Sequence, residues 1–438
     1  MNVALQLFKI PETRRRILLT LGALIAYRVG FQIPLPGMDV GFLKRATEGS
    51  STLFGLLSAF SGSQIDNASI FGLGIMPYIS ASIIFSILAK VSPQIEAIQK
   101  EGATGQKKIN QWTRLATVPI SLVQGLMTWF WVFKGMGLVQ PGNEGIGEML
   151  VVVLGLTAGA LFVMWLGEII TEYGVGNGAS LIIMANIIAR IPQSLNALIR
   201  QQEEAYNTIL TLIGIWIGIV LVIVTIQKAE RRIPIQYARL TRGRRVYGGQ
   251  RHYLPLKVNM AGVMPIIFAS ALFLIPGVLF SLLGLESARA MLLKQDGFVY
   301  VTLYVILVFV FSFFWNNLMF RPEEIADNLR EHGSFVPGIR PGAKTAAYLK
   351  EILTRITLAG AVFLAVIAII PNFITGGVPG LQGDLAYFLG GTSVLIVVGV
   401  ALDLVDRLDA QLVMRNYEGL MKGKGGGSGG GAGWARKG

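Results

Sequence analysis

The residue types that make and break bonds are scarce in this chain. Cysteine is absent and the only histidines are His252 and His332. Both sit in polar, basic stretches, so no histidine can serve a serine inside an apolar segment. Neither an HExxH zinc-protease helix nor a GxSxG nucleophile turn occurs. Asp403 and Asp406 are a carboxylate pair, but they share one helix end, which is poor geometry for a dyad closing on a buried substrate. No metal, cofactor or enzymatic activity is expected. What recurs instead is an apolar motif. GIMPYISAS at 74–82 returns as GVMPIIFAS at 262–270, with Gly, Met, Pro, Ile, Ala and Ser at matching positions. Such segments offer surface, not reactivity. Ile75, Ile79, Ile183, Ile267 and Ile396 suit an apolar constriction, which hinders ions by dewetting and makes no demand on the chemistry of an extended polymer.

The elements that must position these residues are membrane helices. The 438 residues are 53% hydrophobic and 14% charged, with a mean hydropathy of +0.59; a soluble protein carries about a quarter charged residues. Runs such as MLVVVLGLTAGALFVMWLG (149–167) are continuous and not alternating, which points to helices and away from a barrel. The fold class is an all-α polytopic membrane protein. Ten spans are expected, near 17–36, 70–90, 112–133, 148–170, 179–199, 207–227, 259–283, 298–320, 352–375 and 385–406. The fifth is the least apolar, since it holds Asn186, Arg190 and Pro192. The opening MNVALQLFKIPETRRR runs into a full span without a small-residue cleavage site, unlike a secretory signal. The stretch LFGLLSAFSGSQID (53–66) is apolar but too short to span, and reads as a re-entrant or half-inserted helix.

Charge fixes the orientation. Net charge is +13. Lys9, Arg14, Arg15 and Arg16 precede the first span, and the loops 228–257 and 321–355 are dense in Lys and Arg. With ten spans these segments share one side, which carries about 30 of the 38 basic residues against about 7 opposite. That side is the cytoplasm, and both termini lie there. The Gly-rich stretch 421–438 is expected to be a flexible tail.

Each copy of the motif falls in the second span of a five-span half. Five is odd, so the halves 1–205 and 206–420 enter the membrane in opposite orientations, as an inverted repeat. GASLII (178–183) is echoed by GTSVLI (391–396). A proline within an apolar run removes a backbone donor, so both segments are expected to be broken or kinked and to face another helix or a cavity. Ionisable residues near the midplane are few; those weighed are Arg28, Glu168, Glu172, Arg190, Asp403 and Asp406. They read as anchors or ion-pair members. A secondary transporter for a small solute, built on the same repeat, is the alternative, and it requires ionisable residues at the midplane.

At these residues the chain resembles the SecY/Sec61-alpha family, whose members form the central subunit of protein-translocation channels. The resemblance covers about 14–420. It rests on ASIFGLGIMPYISASII (68–84), KEGATGQKKINQWTR (100–114), MWLGEIITEYGVGNGASLII (164–183), RRVYGGQRHYLPLKVNMAGVMP (244–265), ADNLREHGSFVPGIRPG (326–342) and FLGGTSVLIVV (388–398). It implies two inverted five-helix halves around an hourglass pore in the bacterial inner membrane, passing unfolded secretory polypeptides and releasing hydrophobic segments sideways into lipid. It also implies a pore ring of Ile75, Ile79, Ala179, Ile183, Ile267 and Ile396, in which Ala179 departs from a bulkier residue. The segment 53–66 corresponds to the family's plug, with Leu53, Phe54, Leu56, Leu57 and Phe60 as its apolar residues. Gly74, Pro77, Gly262 and Pro265 fall on the lateral-gate helices, where signal sequences bind. Arg242, Arg244, Arg245 and Arg340 fall on loops that dock the ribosome and the SecA motor. SecE and SecG are the implied membrane partners.

Overall fold

The computed structural model describes residues 11–36, 69–134, 139, 145–201, 205–237, 240–242, 245–247, 251–260, 262–266, 268–269, 280, 297–377 and 391–424. The helices are α1 (Pro11–Gly30), α2 (Met76–Val91), α3 (Pro93–Lys100), α4 (Ala103–Met127), α5 (Ile146–Tyr173), α6 (Gly178–Gln201) and α7 (Ala205–Lys228). They continue with α8 (Phe298–Met319), α9 (Pro322–Glu331), α10 (Ala343–Gly377) and α11 (Gly391–Lys424). A π-helical turn, Thr128–Lys134, extends α4. The strands are β1 (Glu230–Tyr237), β2 (Leu240–Arg242), β3 (Arg245–Tyr247), β4 (Arg251–Lys257) and β5 (Ser334–Phe335).

Among the described residues, nine of the ten expected spans coincide with a helix; of the seventh, residues 264–266, 268–269 and 280 are described as helix. α5, α7, α8 and α10 each hold an apolar stretch long enough to cross a membrane. In α6 the apolar part is shorter, Gly178–Ala189, in keeping with its expected weakness, yet the helix continues through Pro192. The bundle is inverted relative to a soluble protein. α1 buries Thr13, Thr20, Ala23, Tyr27 and Gly30, and exposes Leu18, Leu21, Ile25 and Val29 by half or more. Such an outer face suits an apolar membrane environment, and small residues on the inner face let helices approach closely.

Both copies of the repeated motif build the same device, and it differs from the expected kink. Gly74 has φ +55° and Gly262 φ +63°, in the left-handed region where glycine is favoured. Helix then begins at Met76 and at residue 264, which places Pro77 and Pro265 in the first turn. There the missing N–H has no intrahelical partner to lose and the fixed φ favours helix. The second span therefore starts at 76 and not near 70, and residues 70–75 are turns.

Two apolar clusters occupy the bundle. One joins α1, α2, α5, α6 and α11 through Tyr27, Ile75, Val163, Ile182, Ile183 and Ile396. The other joins α7, α8, α10 and α11 through Ile223, Val308, Leu364 and Leu395. α11 belongs to both, and it runs past residue 421 as helix to Lys424, further than the expected tail boundary; residues 425–438 lie outside the described set.

Candidate functional site

α2 presents Ile79 from its first turn, α6 presents Ala179 and Ile183 from its first turns, and α11 presents Ile396. All four line one cavity of about 830 Å³, with Val263 beside the second motif. Ile183 and Ile396 are each 6% exposed, so they form a packed apolar floor. Ile75 does not line the cavity. It lies one turn before Ile79, fully buried in the same cluster. A close crossing of α5 and α6 sets the position of Ala179 and Ile183. A Cβ built on Gly178 would stand 1.9 Å from the Gly167 carbonyl oxygen, so glycine is needed there. Thr171 then ties the turn. Its hydroxyl donates to the Gly167 carbonyl at 2.8 Å and accepts from the Gly178 N–H at 2.9 Å. Ile267, the remaining member of the expected ring, lies outside the described residues, as do the plug residues Leu53, Phe54, Leu56, Leu57 and Phe60.

The cavity's wall is polar where its floor is apolar. Lys107, Gln111 and Arg114 of α4 face it, together with Glu168, Thr171 and Glu172 of α5 and Asn177. Arg114 pairs with Glu168, so the glutamate expected as an ion-pair member is one. Asp403 likewise accepts from Arg407 at 2.9 Å on the same helix. All three α4 residues lie in the stretch 100–114 that carries the family resemblance, and their spacing (107, 111, 114) is that of one helix face.

The basic loops form a platform. β1 pairs antiparallel with β4 from Glu230↔Lys257 to Gln236↔Arg251, and with β5 at Gln236↔Phe335 and Tyr237↔Ser334. The two loops thus share one three-stranded sheet, ordered β4-β1-β5. At the tip, β2 and β3 set Arg242 opposite Arg245; Arg244 between them is outside the described residues. Ile233, Leu256, Val336, Leu349 and Leu353 bury a small core between sheet and α10. Arg340 stands exposed in the turn that follows Val336, and its carbonyl is held by the Thr345 hydroxyl at 3.0 Å.

An apolar floor under a polar wall, with a basic platform on a helical bundle, agrees with the comparisons to known proteins. The SecY family profile matches residues 69–405. Protein translocase subunit SecY of Streptomyces scabiei is 41% identical over 432 residues, covering 95% of this chain and 98% of that one. The chain belongs to the SecY family. The Thermotoga maritima SecY subunit is 42% identical over 429 residues, covering 95% and 96%. A solved protein-conducting channel superposes with a TM-score of 0.64 at 20% identity, over 93% of this chain and 96% of that one. Sec61 in the canine ribosome–channel complex superposes at 0.57 and 19% identity. With the SecY family comes its architecture, ten spans in two inverted halves, which accounts for the repeated helix-start device and for the inverted apolarity of α1.

Proposed function

We propose that the protein is the protein-conducting channel of a bacterial inner-membrane translocase, and that Ile75, Ile79, Ala179, Ile183, Ile267 and Ile396 form its pore ring. One observation carries the reading: three helices far apart in sequence converge Ile79, Ala179, Ile183 and Ile396 on the floor of a single cavity. An apolar gasket of this kind excludes ions at rest and accepts any side chain of an unfolded polypeptide. The halves 1–205 and 206–420 meet at the seam between α2 and the helix that begins at residue 264. A signal sequence enters there, and its apolar contacts offset those lost when the seam parts. Residues 53–66 act as the plug. Hydrophobic segments leave through the seam into lipid.

Both termini and the basic platform face the cytoplasm. Arg242, Arg244, Arg245 and Arg340 dock the ribosome and SecA; arginine forks suit phosphate backbones and carboxylates alike. SecE and SecG complete the membrane complex. The driving force belongs to the partners, and this chain supplies the conduit. The test is reconstitution with SecE and SecG in liposomes. With SecA and ATP, a preprotein is expected to become protected from external protease. No protection while SecA hydrolyses ATP, or saturable uptake of a small solute instead, overturns the reading.

A further inference from the structure

The Arg321 guanidinium lies at the end of α8, and its Nη1 donates at 2.6 Å to Glu96 Oε1 and at 2.6 Å to Glu324 Oε1. Glu96 also pairs with Lys100 at 3.2 Å. Among the described ion pairs, Glu96–Arg321 is the one that joins the first half to the second. Its side chains are 29% and 25% exposed, against 65% for Lys100 and 55% for Glu324, so the central pair is the sheltered one.

Each arm is tied to one lip of the seam. Glu96 sits on α3, which leaves the α2 segment at a 97° bend. Tyr78, Ile79 and Ser82 of α2 face the cavity from one side, Gly262, Val263 and Met264 from the other. Met264 and Phe268 pack against Trp315 of α8, with Phe268 and Trp315 ring centroids 5.5 Å apart. Arg321 follows two residues after α8 ends, so it moves with the second lip.

We propose that Glu96 and Arg321 latch the seam and set how apolar a signal segment must be to part it; the proposal rests on the channel reading above. The four charges alternate as Lys100, Glu96, Arg321, Glu324. Cutting the chain at its centre leaves two neutral pairs, each within one half. Glu96 keeps Lys100 and Arg321 keeps Glu324, so opening leaves each of the four charges with a partner, and a partly exposed pair contributes only modestly. The latch therefore adds a modest, reversible increment to closure. A strongly apolar signal overcomes it easily, and a marginal one does not.

The test uses the complete translocase in proteoliposomes, with two preproteins that differ by one Leu→Ser change in the apolar part of the signal. Glu96→Gln and Arg321→Gln are each expected to raise translocation of the weakened preprotein about two- to fivefold, the range of a partly exposed pair, and to leave the intact preprotein within about 1.5-fold. Inverting all four charges (Lys100→Glu, Glu96→Lys, Arg321→Glu, Glu324→Arg) is expected to restore the parental ratio, which a purely structural role would not do. An unchanged ratio in both single variants, an equal fall for both preproteins, or an inverted quartet that behaves like the single variants overturns the latch. A parent protein that translocates neither preprotein overturns the channel reading and the latch with it.

Discussion

Replacing Ile183 and Ile396 together with serine removes the apolar floor at its two most buried described points. Each is 6% exposed, one on α6 and one on α11. Ile→Ser deletes about three carbon groups, and at about 0.8 kcal/mol per buried CH₂ that is roughly 2.4 kcal/mol per site. If that energy holds the throat dry, each change shifts the balance toward a wetted throat by up to about 50-fold, since 1.4 kcal/mol is tenfold. The two together put two hydroxyls on the floor, where water then finds partners. Planar-bilayer recording of the reconstituted complex is the assay. Resting ion conductance is expected to rise at least tenfold, while preprotein translocation stays within about threefold, because a passing chain needs a gap and not a particular surface. A double variant that still translocates and whose resting conductance lies within twofold of the parent refutes the gasket.

Other consequences follow from the same geometry. Gly178→Ala must open the α5–α6 crossing by about 1 Å, because its Cβ would otherwise stand 1.9 Å from the Gly167 oxygen; overpacking of this kind costs about 1–3 kcal/mol, and a lowered thermal midpoint in detergent checks it. Arg340→Glu places a carboxylate on the exposed turn of the platform, and SecA-driven translocation is expected to fall at least tenfold with folding unchanged, measured in proteoliposomes alongside the thermal midpoint. The Arg321 guanidinium beside Glu96, with Lys100 beyond it, holds the Glu96 carboxyl below the usual carboxylate range. A depressed folded-state value means that the latch is fully charged above the ordinary glutamate value of about 4.3 and is lost only as pH falls through the lower folded one. The translocation ratio of the two preproteins is therefore expected to stay flat from pH 8 to about 5.5, and a step between pH 7 and 6 would contradict the assignment.

Much of this was legible in the chain because lipid imposes a simple code. Continuous apolar runs announce helices, and α5, α7, α8 and α10 are helices at such runs. The repeated GxMP motif also carried its location, since it marks corresponding spans of the two halves. Its local geometry is not legible, because a proline that kinks a helix and one that starts a helix look alike in a long apolar stretch. The distinguishing signal is Gly74 three residues before Pro77, and Gly262 before Pro265: a left-handed residue ends the preceding turn and leaves the proline inside a new helix. Other features had weaker signals or none. β5 is two residues long, too short for any alternation, so its joining to β1 was invisible. Glu96 and Arg321 are 225 residues apart, and no local pattern links them. The polar wall at Lys107, Gln111 and Arg114 was visible in principle as a helical stripe, but within a basic segment it reads as ordinary surface charge.

The most direct test of the central claim uses the absence of cysteine, which lets a single cysteine be introduced at any site without background. A secretory chain is stalled midway through the reconstituted translocase, and photocrosslinkers are placed in turn at 79, 183, 267 and 396, with lipid-facing controls at Leu154 and Leu221, both more than half exposed. Crosslinks to the stalled polypeptide are expected from all four ring positions and none from the controls. Adducts to lipid from the ring positions, or equal polypeptide labelling at 154 and 221, would contradict the claim.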